Sequence, residues 1–176
     1  DPTKFDPSLI GVQAGGLKMP PVKKAPGSKG PPQTVRKESM LGWIGKGLDV
    51  SIEAHSMKIS STHAQPFLTN ANLNIDGPVQ LKARLRSAKT GKVNLQWRTA
   101  DQAGFAAKGQ SKDFSIKGGD WQNIEIKLPV KRALQHLRMF TPDGKESLAI
   151  DWIELTPVGG KSKQSERWDF GGNHSR

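Results

Sequence analysis

The sequence predicts an all-β protein, built as a sandwich or a barrel, on three observations. From about Met40 the chain breaks into short apolar runs spaced roughly 8–12 residues apart, with turn residues between them. The clearest runs alternate with period two. In VQLKARLRS, Val79, Leu81, Ala83 and Leu85 point one way and Gln80, Lys82, Arg84 and Arg86 the other; in KVNLQWRT, Val93, Leu95 and Trp97 oppose Asn94, Gln96 and Arg98. Finally, 12 prolines and 19 glycines argue against a helical bundle, and no segment carries convincing helical periodicity.

Taken in order, residues 1–39 form a proline-, glycine- and lysine-rich arm or linker with Pro20-Pro21, Pro26-Gly27 and Pro31-Pro32. Leu9, Ile10, Val12, Leu17 and Met19 are its expected anchors. The folded core is expected at 40–157, with strands over 47–52, 55–60, 66–75, 78–86, 92–99, 110–117, 121–128, 133–140 and 147–156. Asp76-Gly77-Pro78, Thr90-Gly91, Gly118-Gly119-Asp120 and Pro142-Asp143-Gly144 separate them with turn chemistry. Pairing across the Ser87–Gly91 turn would set Lys82 near Gln96 and Arg84 near Asn94, giving one sheet a basic, amide-rich front. Residues 158–176 form a polar tail in which Arg167-Trp168-Asp169-Phe170 has the texture of a docking edge strand. A core of this length can hide about two-thirds of its unfolded surface, enough to fold without staples.

The formal charge of +11 and pI near 10 favour anionic partners. No run of six basic residues exists and no aromatic-interleaved platform accompanies the charge, so nucleic acid is not expected as a partner. The absence of cysteine excludes thiol nucleophiles, disulfides and thiolate metal sites. No apolar run approaches the roughly 18 residues of a membrane span, so no membrane partner is expected either. With neither a signal peptide nor a starting Met, the chain reads as an excised or processed piece.

Chemistry is sparse. His55, His63, His136 and His174 share no metal-ligand spacing, no cofactor motif is present, and no loop, those at Asp120 and Asp143 included, collects enough carboxylates to require the structural Ca²⁺ that such sandwiches often carry. Gly42-Trp43-Ile44-Gly45-Lys46-Gly47 is glycine-rich, but no helix follows to offer amides to a phosphate. No carboxylate pair is spaced for acid–base work, and no catalytic residue is assigned. Trp97 shares the parity of Val93 and Leu95 and belongs to the core. Trp152 reads as a core residue near the sheet edge in preference to a sugar-stacking platform, while Trp121 either faces the polar side or caps its strand. The candidate ligand-binding residues are Lys82, Arg84, Arg86, Asn94, Gln96, Arg98 and Trp121. Guanidinium forks suit sulfate or carboxylate oxygens, and pairing of these cations with acids such as Glu125 is the competing use.

From Leu41 to Leu155 the order of residues resembles a known family, the C-terminal jelly-roll, galactose-binding-like accessory domain of secreted marine bacterial sulfatases. The resemblance rests on Gly42-Trp43-x-Gly-Lys-Gly47, Pro66-Phe67-Leu68, Gly77-Pro78-Val79, Arg84-Leu-Arg86-Ser87 and Gln96-Trp97-Arg98-Thr99. It continues through Gly119-Asp120-Trp121, His136-Leu137-Arg138, Ile150-Asp151-Trp152-Ile153 and the closing Arg167-Trp168-Asp169-Phe170. It implies a jelly-roll β-sandwich of about eight to nine antiparallel strands and a non-catalytic module of a secreted or periplasmic enzyme. Its implied partners are an anionic, sulfated polysaccharide and a catalytic domain of the same parent protein. The Cys-or-Ser-x-Pro-x-Arg signature of sulfatases is absent here, as is their metal-binding set. Two rivals stand beside this reading: a structural module docking its basic face on a catalytic domain or second subunit, and a small polysaccharide-cleaving enzyme on the same sandwich.

Overall fold

The computed structural model describes residues 40–61, 64–106, 108–142, 148–159 and 164–171. The arm at 1–39 with its expected anchors lies outside the described residues, as do His63, Asp143, His174 and residues 160–163. Eleven strands form two antiparallel sheets, and the described residues contain no α-helix. In chain order they are β1 (Ile44–Lys46), β2 (Leu48–Glu53), β3 (Ser56–Ser61), β4 (Phe67–Asn70), β5 (Val79–Ser87) and β6 (Gly91–Thr99). β7 (Ser111–Ile116), β8 (Gln122–Leu128), β9 (Leu134–Phe140), β10 (Leu148–Pro157) and β11 (Glu166–Asp169) complete the set.

One sheet runs β1-β4-β9-β6-β7 and the other β2-β3-β10-β5-β8, with β11 added beside β10. Their inner faces close a single core. Val79, Leu81, Ala83 and Leu85 of β5, with Ile150, Ile153 and Leu155 of β10, cluster with Val93, Leu95, Trp97, Leu137 and Met139 of β6 and β9. All are essentially sealed from water, as the period-two pattern requires of strands buried on one side only.

Three expectations need correction. The strand expected at 47–52 is β2, but an unexpected β1 precedes it: Gly47 adopts φ +63° between them and turns the chain from one sheet into the other, so that β1 pairs with β4, and β2 with β3. With β11 as well, the strands among the described residues number eleven where eight or nine are expected. The strand expected at 66–75 stops at Asn70, whose side-chain oxygen accepts a hydrogen bond from the Asn72 amide at 3.0 Å and bends the chain out of the ladder.

The third correction matters most for function. β5 and β6 are not hairpin partners. β5 pairs with β10 and β8, whereas β6 pairs with β9 and β7. The Ser87–Gly91 connection therefore crosses from one sheet to the other. It is held by the residue 118–119 segment: the Gly119 amide donates to Ser87 O at 2.9 Å, and the Gly118 amide to Thr90 Oγ1 at 3.0 Å. Crossing lets the apolar side of β5 face that of β6, whereas a hairpin would set both on one side of one sheet.

Candidate functional site

Because β5 and β6 belong to different sheets, the residues singled out from sequence lie on two opposite outer faces. Lys82, Arg84, Arg86 and Trp121 are on the six-stranded face, and Asn94, Gln96 and Arg98 on the five-stranded face.

Among the described residues of the six-stranded face, Lys82, Arg84 and Arg167, though not Arg86, are matched with carboxylates. Lys82 stands opposite Glu125 and pairs with it at 3.9 Å, and Arg84 reaches Asp151 at 3.1 Å. Arg167 bonds Asp169 at 3.0 Å and Glu154 at 3.4 Å; the Asp169 hydrogen bonds hold its guanidinium above the usual arginine range. These pairs are solvent-exposed, so each is weak. Arg84 and Arg86 also flank the Trp121 ring, at 5.4 and 5.2 Å from its centroid. Trp121 sits immediately before β8, half-buried on this polar side.

Trp152 is the second aromatic on that face, contrary to its expected place in the core. Register with β5 shifts between Ile150 and Trp152, so Asp151 is an extra residue that turns Trp152 outward and Ile153 inward. Arg167 then covers the indole at 4.2 Å. Trp97 is buried as its parity requires.

The five-stranded face is built differently. Along β9, His136, Arg138 and Phe140 alternate with the buried Leu137 and Met139. Across the ladder, His136 stands opposite Arg98, Arg138 between Gln96 and Thr69, and Phe140 between Asn94 and Phe67. Phe67 and Phe140 pack at 5.1 Å. The 100–110 connection delivers Phe105 onto this face. Its base is tied down by a reciprocal amide pair between Gln102 and Gln110 and by the Thr99 amide donating to Gln102 Oε1 at 3.0 Å.

Phe105 stacks on the Arg138 guanidinium at 3.7 Å, with Phe67 on it at 5.0 Å, and meets the His136 ring edge-on at 4.7 Å. Arg98 donates to the Gln102 carbonyl at 2.7 Å. Among the described residues no carboxylate pairs with Arg98 or Arg138. The acid on this face is Asp113 of β7, which accepts from Asn94 at 2.6 Å.

The Thr69 hydroxyl donates to Leu137 O at 3.0 Å, so it accepts from His136 Nε2 at 2.7 Å and fixes the proton on that nitrogen. Burial, and then the charges of Arg138 and Arg98, push the imidazole below its ordinary value, while burial alone lowers Arg138. Phe67, Phe105, His136, Arg138 and Phe140 thus join Asn94, Gln96 and Arg98 without having been singled out as site residues. The alternation His136-x-Arg138-x-Phe140 was the available signal. No group of three metal-ligating side chains, and no helix long and apolar enough to cross a membrane, occurs among the described residues.

The sandwich just described has many counterparts among solved structures. It is similar in fold to carbohydrate-binding modules. The CBM22-1–GH10 portion of xylanase 10B from Clostridium thermocellum, solved with xylohexaose, matches at TM-score 0.53 with 13% identity over 67% of this chain and 26% of that one. The C-terminal CBM6 of LamC, a marine laminarinase of Zobellia galactanivorans, matches at TM-score 0.47 with 14% identity over 64% of this chain and 90% of that one. A family 29 module variant with mannohexaose gives TM-score 0.47 with 13% identity over 62% and 77%. At such identities the likeness is one of fold. No family model matches the sequence, and no curated protein does.

Proposed function

We propose that this chain is a non-catalytic carbohydrate-binding module that holds an acidic, in the first instance sulfated, polysaccharide on the outer face of its five-stranded sheet. The observation that carries the reading is the row Phe67, Phe140, Arg138, Gln96 and Arg98 across three adjacent strands, where aromatic rings, amides and unneutralised cations share one surface. Phenyl rings offer apolar area to the C–H faces of pyranose rings, amides and guanidinium groups bond hydroxyls, and a polymer can run along the sheet. The net charge of +11 supports an acidic ligand by raising its local concentration. The similarity in fold to a module solved with xylohexaose supports carbohydrate as the ligand class. Resemblance to sulfatase accessory domains supports an exported parent enzyme, with this module holding the polymer near a catalytic domain.

Of the residues chosen from sequence, Asn94, Gln96 and Arg98 belong to this surface. Lys82, Arg84, Arg86 and Trp121, with Trp152, form a second surface on the opposite side, where Lys82 and Arg84 are charge-compensated. That side is the better candidate for packing on a catalytic domain, because paired charges cost less to desolvate than isolated ones. Affinity electrophoresis against sulfated and neutral polymers tests the proposal. Retardation by a sulfated polymer that is lost in Arg98→Ala with Gln96→Ala supports it, and migration unaffected by every polymer sinks it.

A further inference from the structure

We propose that Arg138, flanked by Arg98 and His136, is the seat for a single oxyanion on the sugar, a sulfate ester or a carboxylate, and that this contact sets which polysaccharide the module selects. The inference rests on the five-stranded face being the glycan surface.

Arg138 carries the argument because its environment makes little structural sense otherwise. Its Nε is sealed from solvent with no hydrogen-bond partner, although a buried polar atom ordinarily has one. Its terminal nitrogens bond no described residue and keep access to solvent. A charged group left half-desolvated and unpaired destabilises the fold unless something else accepts its hydrogen bonds. The group is nevertheless held in place. Phe105 at 3.7 Å and Phe67 at 5.0 Å fix the plane of the guanidinium without neutralising it, since a ring quadrupole attracts the cation but contributes no net charge.

The outcome is a preoriented fork whose ordering cost is met in the folded protein before any ligand arrives. Its neighbours match an anion. Arg98 and His136 occupy adjacent positions on the same face, and Thr69 and Gln96 lie beside Arg138 on the flanking strands. The described acids of this region are already engaged, Asp113 by Asn94 and Asp101 by Thr99 and Arg132. On the opposite face the comparable arginines, Arg84 and Arg167, are each matched with a carboxylate. Arg138, like Arg86 and Arg98, has none among the described residues, and it is set apart by its sealed, unpartnered Nε and by the two phenyl rings that hold its plane.

The test titrates the full chain, by calorimetry and by ¹H–¹⁵N spectra that resolve the arginine Nε–H signals, with three probes. These are a sulfated galactan hexasaccharide, its desulfated counterpart and an oligouronate of equal length. The expected result is at least tenfold tighter binding of one anionic probe than of the desulfated one, with the Arg138 Nε–H resonance shifting at saturation. Whichever anionic arm binds tighter tells sulfate from carboxylate. Arg138→Lys, which keeps the charge but not the fork, should erase that preference, bringing the affinities for the anionic and desulfated probes to within about twofold of each other.

Equal wild-type affinity for charged and desulfated probes, or a preference that survives Arg138→Lys, overturns the inference and leaves the carbohydrate-binding reading intact. Failure of all three oligosaccharides to bind, with methyl sulfate still shifting the Arg138 signal, overturns the reading and leaves the oxyanion seat standing. If Arg138→Lys does not fold, the wild-type probe preference and the Nε–H shift decide alone: both together uphold the inference, and loss of either overturns it.

Discussion

The indole rings of Trp43 and Trp168 meet edge to face, with centroids 5.4 Å apart and planes at 89°. Trp43 precedes β1 and Trp168 lies in β11, so the contact closes the start of the described chain against its end. Both rings are buried in the core, and β11 further pairs with β10 from Trp152 to Leu155. Trp168→Ala should therefore lower unfolding free energy by about 3–5 kcal/mol, the usual cost of emptying a large aromatic site. Urea unfolding by circular dichroism measures the loss, and faster amide exchange at Ile153 and Leu155 would mark β11 detaching first.

Trp43 adds a contrast within the same contact. Its indole Nε1 is buried without a hydrogen-bond partner. Trp43→Phe removes that unsatisfied donor along with some ring volume and should cost much less than Trp43→Ala, by a difference of about 2 kcal/mol or more in the same unfolding assay. Both variants lose the donor, so equal costs would show that an aromatic ring at this site contributes nothing to stability.

Gly77 is required by space. A Cβ there would lie 2.1 Å from the Val130 carbonyl oxygen, while the Gly77 amide donates to Arg132 O at 3.2 Å. The two segments cannot separate without losing that bond. Gly77→Ala is expected to destabilise by about 1–3 kcal/mol, as overpacking against fixed backbone does. Thermal unfolding reads this directly.

The two outer faces should respond differently to loss of charge. Lys82→Ala with Arg84→Ala removes cations that Glu125 and Asp151 already compensate. Affinity for a sulfated polymer is expected to stay within about threefold, because exposed pairs contribute weakly to the field. Arg98→Ala with Gln96→Ala should weaken binding at least tenfold. Affinity electrophoresis of both double variants on one gel compares them, and an inverted order would move the glycan surface to the other sheet.

His136 supplies a pH dependence. Its folded pKa lies below the ordinary 6.5, first through burial and then through Arg138 and Arg98, so the folded protein binds this proton less readily than the unfolded chain. Stability conferred by His136 is complete above 6.5 and is lost as pH falls from there to the lower folded value. A bound anion reverses the shift, since it favours the imidazolium. Affinity for a sulfated ligand should thus rise as pH falls from 7.5 towards 5.5, and His136→Gln should flatten that rise. Calorimetry at the two pH values in buffers of different ionisation enthalpy detects the proton taken up.

Much of this was legible in the sequence. Alternation in 78–86 and 92–99 located β5 and β6 to within a residue and told inward from outward side chains, because side-chain period follows from local backbone geometry alone. That parity assigns Trp97 to the core, and its burial agrees. Trp152 was misread because a single added residue at Asp151 reverses parity for the rest of β10. Arg138 showed the right parity but nothing to mark it, since its solitude depends on where acids from other strands fall.

The amino-acid order alone therefore determined that the chain is built of half-buried strands, where most of them run, and that cations and amides occupy their wet sides. Which strands become neighbours was decided only by the tertiary structure. Hydrogen bonding between strands is non-local, and the same apolar stripe is buried equally well by a hairpin or by crossing to a facing sheet. Crossing at Ser87–Gly91 divided one expected basic face into two, matching Lys82 and Arg84 of one with carboxylates and leaving Arg98 and Arg138 without one among the described residues of the other.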